Sequence, residues 1–181
     1  GGPQTLKGAI AAGALGIIAE AAAGKSADHS FDDIEFLPVI PDPDKIMAVG
    51  LNYRSHVLEG GRDIPEWPMI FTRFSNSQVG HGQAMIKPKA SDMFDFEGEM
   101  AVIIGKTCRH VSEADALSVV AGYSCYNDGS IRDYQRHTSQ FVPGKSFYKS
   151  GAFGPWMVTA DEIPDPASLT LMTRLNGEEM Q

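Results

Sequence analysis

Two glutamates one residue apart, Glu97 and Glu99 in FDFEGEMAVIIG, define the chemistry this chain could do. They stand at the mouth of an apolar run, Met100 to Ile104, whose composition predicts a buried strand. Residues i and i+2 of a strand point to one face, so the two carboxylates would repel each other there. Burying them without a counter-charge would be costly. A hard divalent cation, Mg²⁺, Mn²⁺ or Ca²⁺, resolves the conflict through carboxylate oxygens. Taken alone, Glu-x-Glu is more often the solvated start of an edge strand. Three further clusters change that reading. Asp128, in Asn127-Asp128-Gly129, follows a strand-like run ending at Tyr126 and could complete a carboxylate cage, or simply form an Asx turn. Gly144-Lys145-Ser146 looks like the tail of a phosphate loop, but position 139 is Ser where that loop needs Gly, so a phosphate loop is rejected. His56 and Glu59, at i and i+3, would share a helix face, either as a working pair or as a surface contact.

The elements that must carry these residues follow from pattern and punctuation. Residues 5–23 read as one Ala-rich helix ended by Gly24, and 31–40 as an extended segment running into Pro41-Asp42-Pro43. Strands are expected over 45–51, 69–74, 78–86, 100–104, 121–126, 156–159 and 169–175. A helix is expected to begin near Asn52 or Ser55, and another over 112–120 with Ser112 as its cap. Residues 132–139 are polar and fit neither template. Asn176-Gly177 is a hairpin turn signal, and its returning arm is expected to run on beyond Gln181. The N-terminal apolar stretch is too short and too interrupted to span a membrane, and no basic run precedes it as in a signal peptide.

Composition narrows the class. A chain of 181 residues, 43% hydrophobic and 21% charged, can bury an ordinary globular core. A formal net charge of −8 argues against a nucleic-acid partner. Cys108 and Cys125 have no metal-ligand spacing and read as small buried hydrophobes, their free thiols suiting a reducing cytoplasm.

Four segments, VGLNYRSHVLEGG, FDFEGEMAVIIGK, AGYSCYNDGSIRDYQ and FVPGKSFYKSGAFGPWMVTADEIPDP, together resemble the fumarylacetoacetate hydrolase family in order and spacing. The resemblance implies an α+β fold, a mixed β-roll or sandwich with short flanking helices, usually as a homodimer. It divides the chain into an N-terminal helix and lead-in over 1–44 and a catalytic domain over 45–181, incomplete at its C-terminal end. It implies that Glu97, Glu99 and Asp128 hold Mg²⁺ (or Mn²⁺ or Ca²⁺). Lys145 would contact substrate oxygen, Gln135 would be a polar substrate contact, and His56 with Glu59 would orient a water from a mobile lid. Arg54 and Arg73 would anchor a substrate carboxylate. Gly129 departs from the family pattern, which commonly has Val or Trp there. The implied activity is metal-dependent C–C hydrolysis of a 2,4-dioxo, acylpyruvate-like acid. Isomerisation or decarboxylation of 2-oxo-dicarboxylates is the alternative, and a non-catalytic metal-binding protein the distant third. The implied substrate is a small 2-oxo or 1,3-diketo acid, with no nucleic acid or membrane as partner.

Overall fold

The computed structural model describes residues 2–59, 61 and 63–181, except for the side chains of Ser55, His56 and Glu59. Among the described residues, five short α-helices and eleven short strands succeed one another: α1 (Leu6–Ala11), α2 (Leu15–Ala22), β1 (Ile46–Gly50), α3 (Arg54–Glu59), β2 (Met69–Arg73), β3 (Gln78–Val79), β4 (Phe94–Asp95), β5 (Gly98–Ile104), β6 (Val120–Asn127), β7 (Ser130–Ile131), α4 (Arg132–Arg136), α5 (Val142–Lys145), β8 (Gly151–Phe153), β9 (Val158–Thr159), β10 (Arg174–Leu175) and β11 (Glu178–Glu179). This is the expected α+β class. The main sheet runs β3-β8-β6-β5, with β9 also paired to β6. All its ladders are antiparallel except β3–β8. Two antiparallel pairs, β1–β2 and β4–β7, flank it.

The long β5–β6 ladder organises the site. Its register sets Gly98 against Asn127 and Glu99 against Tyr126, then runs to Ile103 against Gly122. β5 is not buried on both faces as its apolar run suggests. It lies at the sheet edge, and its burial alternates, so that the face carrying Glu99, Ala101 and Ile103 turns inward. Met100, Val102 and Ile104 are exposed on the other face. Cys125 lies opposite Met100 in this ladder, and Cys108 follows the strand. Both thiols are exposed, not buried as expected.

The core joins Ile10 of α1 and Val39 and Ile40 of the lead-in to Ile103 and Phe153 of the sheet. The N-terminal helix divides in two because Gly13 takes a left-handed conformation (φ 62°) between α1 and α2. Thr5 caps α1, its hydroxyl accepting from Gly8 N at 3.0 Å. Other boundaries are shorter than the pattern implies. The stretch 31–40 opens with a 3₁₀ turn at Phe31–Asp33, and the 112–120 helix is 3₁₀ over Glu113–Val119. Pairing stops after Val79, and Gly82 (φ 74°) then turns the chain. Of the 169–175 run, Arg174–Leu175 form the ladder, and Thr173 exchanges backbone hydrogen bonds with Met180 and Gln181. The expected turn is there, with Asn176 and Gly177 both at positive φ, but its returning arm is β11, which lies before Gln181 and not beyond it.

Candidate active site

The ladder continues one step past its last regular pair. Asp128 N donates to Glu97 O at 2.8 Å, and Glu97 N donates to the Asn127 side-chain oxygen at 3.1 Å. Glu97 therefore faces Asp128 across the strands, while Glu99 stays on the inward face beside them. Gly129 follows because nothing larger fits: a Cβ there would overlap the Ser150 carbonyl oxygen and the Phe94 ring. The departure from Val or Trp at this position is thus a close backbone approach. Lys145 arrives from the opposite side at the end of α5, whose Gly144 lies against the Gln135 backbone with no room for a Cβ. The Gly-Lys pair is therefore a helix–helix packing device that delivers an ammonium group.

Lys145 is 1% exposed. Its ammonium donates to Glu97 Oε2 at 2.6 Å and to Asp128 Oδ2 at 2.8 Å, and lies 5.0 Å from the centre of the Phe71 ring. The other Asp128 oxygen accepts from Arg73 Nη1 at 2.6 Å. The other Glu97 oxygen is taken by Arg132, which also binds Asp95 at 2.7 Å and donates to Gln135 Oε1 at 3.0 Å. Burial opposes the charge on Arg132, but Glu97 and Asp95 beside it more than offset this and raise its pKa.

Among the described residues, no ion pair joins Glu99 to a cation. Burial pushes its carboxyl up to about 7, against a hydrogen bond from Tyr53 and with added repulsion from Glu97 and Asp128. Tyr53 is in turn pushed up to about 12, first by burial and then by the Glu99 charge.

The structure brings together Glu97, Glu99, Asp128, Lys145 and Gln135 of the residues picked out in the sequence. Among the described residues, no three His, Cys, Asp or Glu side chains are gathered closely enough to hold one ion as they stand. The reason is visible in the pairing: the oxygens of Glu97 and Asp128 turn toward Arg132, Lys145 and Arg73, not toward a centre shared with Glu99. The donor set itself suits a hard divalent ion. It offers three carboxylates, with Asp128 buried and Glu99 half-buried beside it.

Arg73 is not placed to anchor a substrate carboxylate, since it is 3% exposed and its guanidinium is committed to interior partners. Arg54 is exposed at the start of α3, and among the described residues no ion pair joins it to the cluster. The side chains of His56 and Glu59 lie outside the described residues. Sequence reasoning passed over Arg132, Asp95 and Tyr53. Arg132 carried a usable signal, because it stands three residues before Gln135 on one helix and four after Asp128. Tyr53 carried none, because its place beside Glu99 depends on how β1 and α3 pack.

Residues 45–181 match the family described as fumarylacetoacetate (FAA) hydrolase C-terminal. The mitochondrial oxaloacetate tautomerase Fahd2a of Rattus norvegicus is 42% identical over 149 residues, which are 82% of this chain and 48% of that protein. The crystal structure of a 5-carboxymethyl-2-hydroxymuconate delta-isomerase from Mycobacterium smegmatis superposes with a TM-score of 0.73 at 34% identity, over 84% of this chain and 57% of that one. The fumarylacetoacetate hydrolase of Exiguobacterium antarcticum gives 0.70 at 34% identity, over 91% of this chain and 62% of that one. The chain spans about half the length of the curated relatives it matches. The four motifs, the α+β fold and these likenesses agree: the chain belongs to the fumarylacetoacetate hydrolase family.

Proposed function

We propose that this chain carries the site of an enzyme that enolises a small 2-oxo acid, in a keto–enol tautomerisation or double-bond isomerisation of a 2-oxo-dicarboxylate. One observation carries the reading: a fully buried ammonium, Lys145, sits between Glu97 and Asp128 beside the inward-facing Glu99. Glu97, Glu99 and Asp128 would hold Mg²⁺ (or Mn²⁺ or Ca²⁺), which when bound supplies Lewis-acid polarisation of a 2-oxo group. Removing the proton next to that carbonyl develops negative charge on the oxygen. The Lys145 ammonium has three donors and would hydrogen-bond that oxygen as the charge grows. Gln135, with its oxygen held by Arg132, keeps its amide N–H groups to orient the substrate. Exposed Arg54 would meet a distal carboxylate, and His56 with Glu59 would move the carbon-bound proton. The tautomerase and isomerase among the relatives support this reading.

A second reading is C–C hydrolysis of an acylpyruvate-like acid. His56-x-x-Glu59 favours it, since a carboxylate one turn away can orient an imidazole that activates water. Decarboxylation would use the same stabilised enolate. A substrate panel separates the readings, run with and without EDTA: oxaloacetate enol absorbance, pyruvate release from acylpyruvates and CO₂ release. EDTA-sensitive loss of enol absorbance without pyruvate or CO₂ is the expected result. EDTA-sensitive pyruvate release would favour hydrolysis, and no activity on any substrate would reject both.

The exposed Met100, Val102 and Ile104 on β5 and Met47, Val49 and Ile70 on β1–β2 suit a second copy of the chain as their cover, which makes a homodimer the proposed assembly. Light scattering at a monomer mass would refute that. Among the described residues no helix is long and apolar enough to cross a membrane. The free thiols support a cytoplasmic location, which fractionation would test.

A further inference from the structure

Arg73 makes more interior contacts than any other cation of the cluster, yet none of its donors is turned toward solvent space where a substrate could sit. Nη1 donates to Asp128 Oδ1 at 2.6 Å and to the Gly129 carbonyl at 3.0 Å. Nη2 donates to Ser150 Oγ at 2.9 Å, and Nε to Ser77 Oγ at 3.2 Å. Both serines are themselves wholly buried and fixed. Ser77 Oγ donates to Phe74 O at 2.8 Å, and Ser150 Oγ to Phe147 O at 2.8 Å. Gly151 leaves room for this fork, because a Cβ there would stand 2.7 Å from Nη2. The guanidinium thus ties β2, the Ser75–Ser77 turn, the turn after β6 and the segment entering β8 to one oxygen of Asp128.

The geometry points to Arg73 as a positioning residue for the cation site. By holding Oδ1 and the next carbonyl together, it fixes the Asp128 carboxylate about its own axis, so that Oδ2 is presented to Lys145 on the side shared with Glu97. It also sets a positive charge against a carboxylate buried where an unpaired charge would be costly. A lysine could supply the charge but not the planar fork that reaches four partners. The inference rests on the reading that Glu97, Glu99 and Asp128 take a divalent ion.

The test is Mg²⁺ binding to the substrate-free chain by calorimetry, well below the melting temperature, for wild type, Arg73→Lys and the double variant Ser77→Ala/Ser150→Ala. Residues that orient metal ligands typically contribute about 10–100-fold in affinity. Arg73→Lys is expected to weaken Mg²⁺ binding within that range, with the serine double variant losing less in the same direction. Arg73→Lys should lower kcat for enolisation at saturating Mg²⁺ while leaving KM for the 2-oxo acid little changed. A lower melting temperature with unchanged Mg²⁺ affinity would show a purely structural arginine and overturn the proposal. A raised KM with unchanged Mg²⁺ affinity would show a substrate anchor and also overturn it. If Arg73→Lys does not fold, wild-type affinity in the serine double variant overturns it instead. Absence of Mg²⁺, Mn²⁺ and Ca²⁺ binding in wild type would remove the metal reading itself, a result distinct from all of these.

Discussion

Replacing Lys145 with Met should show that a group delivered for chemistry also holds the fold. The methionine stem replaces the buried apolar part of the side chain, so the change isolates the ammonium. Lys145 donates to Glu97 at 2.6 Å and to Asp128 at 2.8 Å from a position 1% exposed. Removing one partner of a buried ion pair costs about 3–5 kcal/mol, because the remaining charge is stranded. Here Glu97 keeps Arg132 and Asp128 keeps Arg73, so the lower end, about 3 kcal/mol, applies. For a chain of this size that is a fall of about 6–12 °C in melting temperature, at about 2–4 °C per kcal/mol. Enolisation should fall by about 10²–10³-fold through lost stabilisation of the developing oxyanion. Saturating Mg²⁺ should recover part of the stability and none of the rate, since an ion can neutralise the two carboxylates but cannot donate the hydrogen bond. Scanning fluorimetry in EDTA and in Mg²⁺, beside the enol-absorbance assay, reads both quantities. An unchanged melting temperature with activity within a few-fold of wild type would refute the reasoning at both points.

Other outcomes follow from single contacts. Gly129→Val, which restores a residue common in the family, should destabilise the chain by about 1–3 kcal/mol in urea unfolding, because its side chain must displace the Ser150 carbonyl and the Phe94 ring. In EDTA, Glu99 with its pKa raised to about 7 binds a proton in the folded chain that the unfolded chain has released. Its contribution to stability should be full below about 4.5 and lost as pH rises through 7, and Glu99→Gln should flatten that fall in urea titrations. Both cysteines should react with Ellman's reagent in the native chain, since both are exposed.

The local signals that carried through to the structure were the ones fixed by short-range geometry. The Asn176-Gly177 turn and the Ser112 cap depend on neighbours within a few residues, and the runs at Ile46–Gly50 and Met69–Arg73 are marked by their own apolar composition. The carboxylate cluster was legible for a related reason: the spacing of Glu97 and Glu99 fixes a face, and Asp128 closes the partner strand. What failed was whatever depended on who lies alongside. An apolar run such as Met100 to Ile104 reads the same whether one face of its sheet is covered or both, so the exposure of Met100, and of Cys125 opposite it, could not be seen. The resemblance made Arg73 an anchor for a substrate carboxylate, and nothing near it in sequence shows that Asp128, 55 residues later, takes its charge.

We propose that Glu97, Glu99 and Asp128 with Lys145 form a divalent-ion-dependent centre for enolising a 2-oxo acid. Proton–deuterium exchange at the carbon next to the keto group, followed by NMR on oxaloacetate in D₂O, tests it most directly because it reads enolisation whatever product follows. The expected result is exchange well above the protein-free rate in Mg²⁺, abolished by EDTA and by Glu97→Ala, and restored to wild type by added Mg²⁺ or Mn²⁺. Exchange that persists undiminished in EDTA or in Glu97→Ala, or no exchange above background in wild type with Mg²⁺, would contradict it.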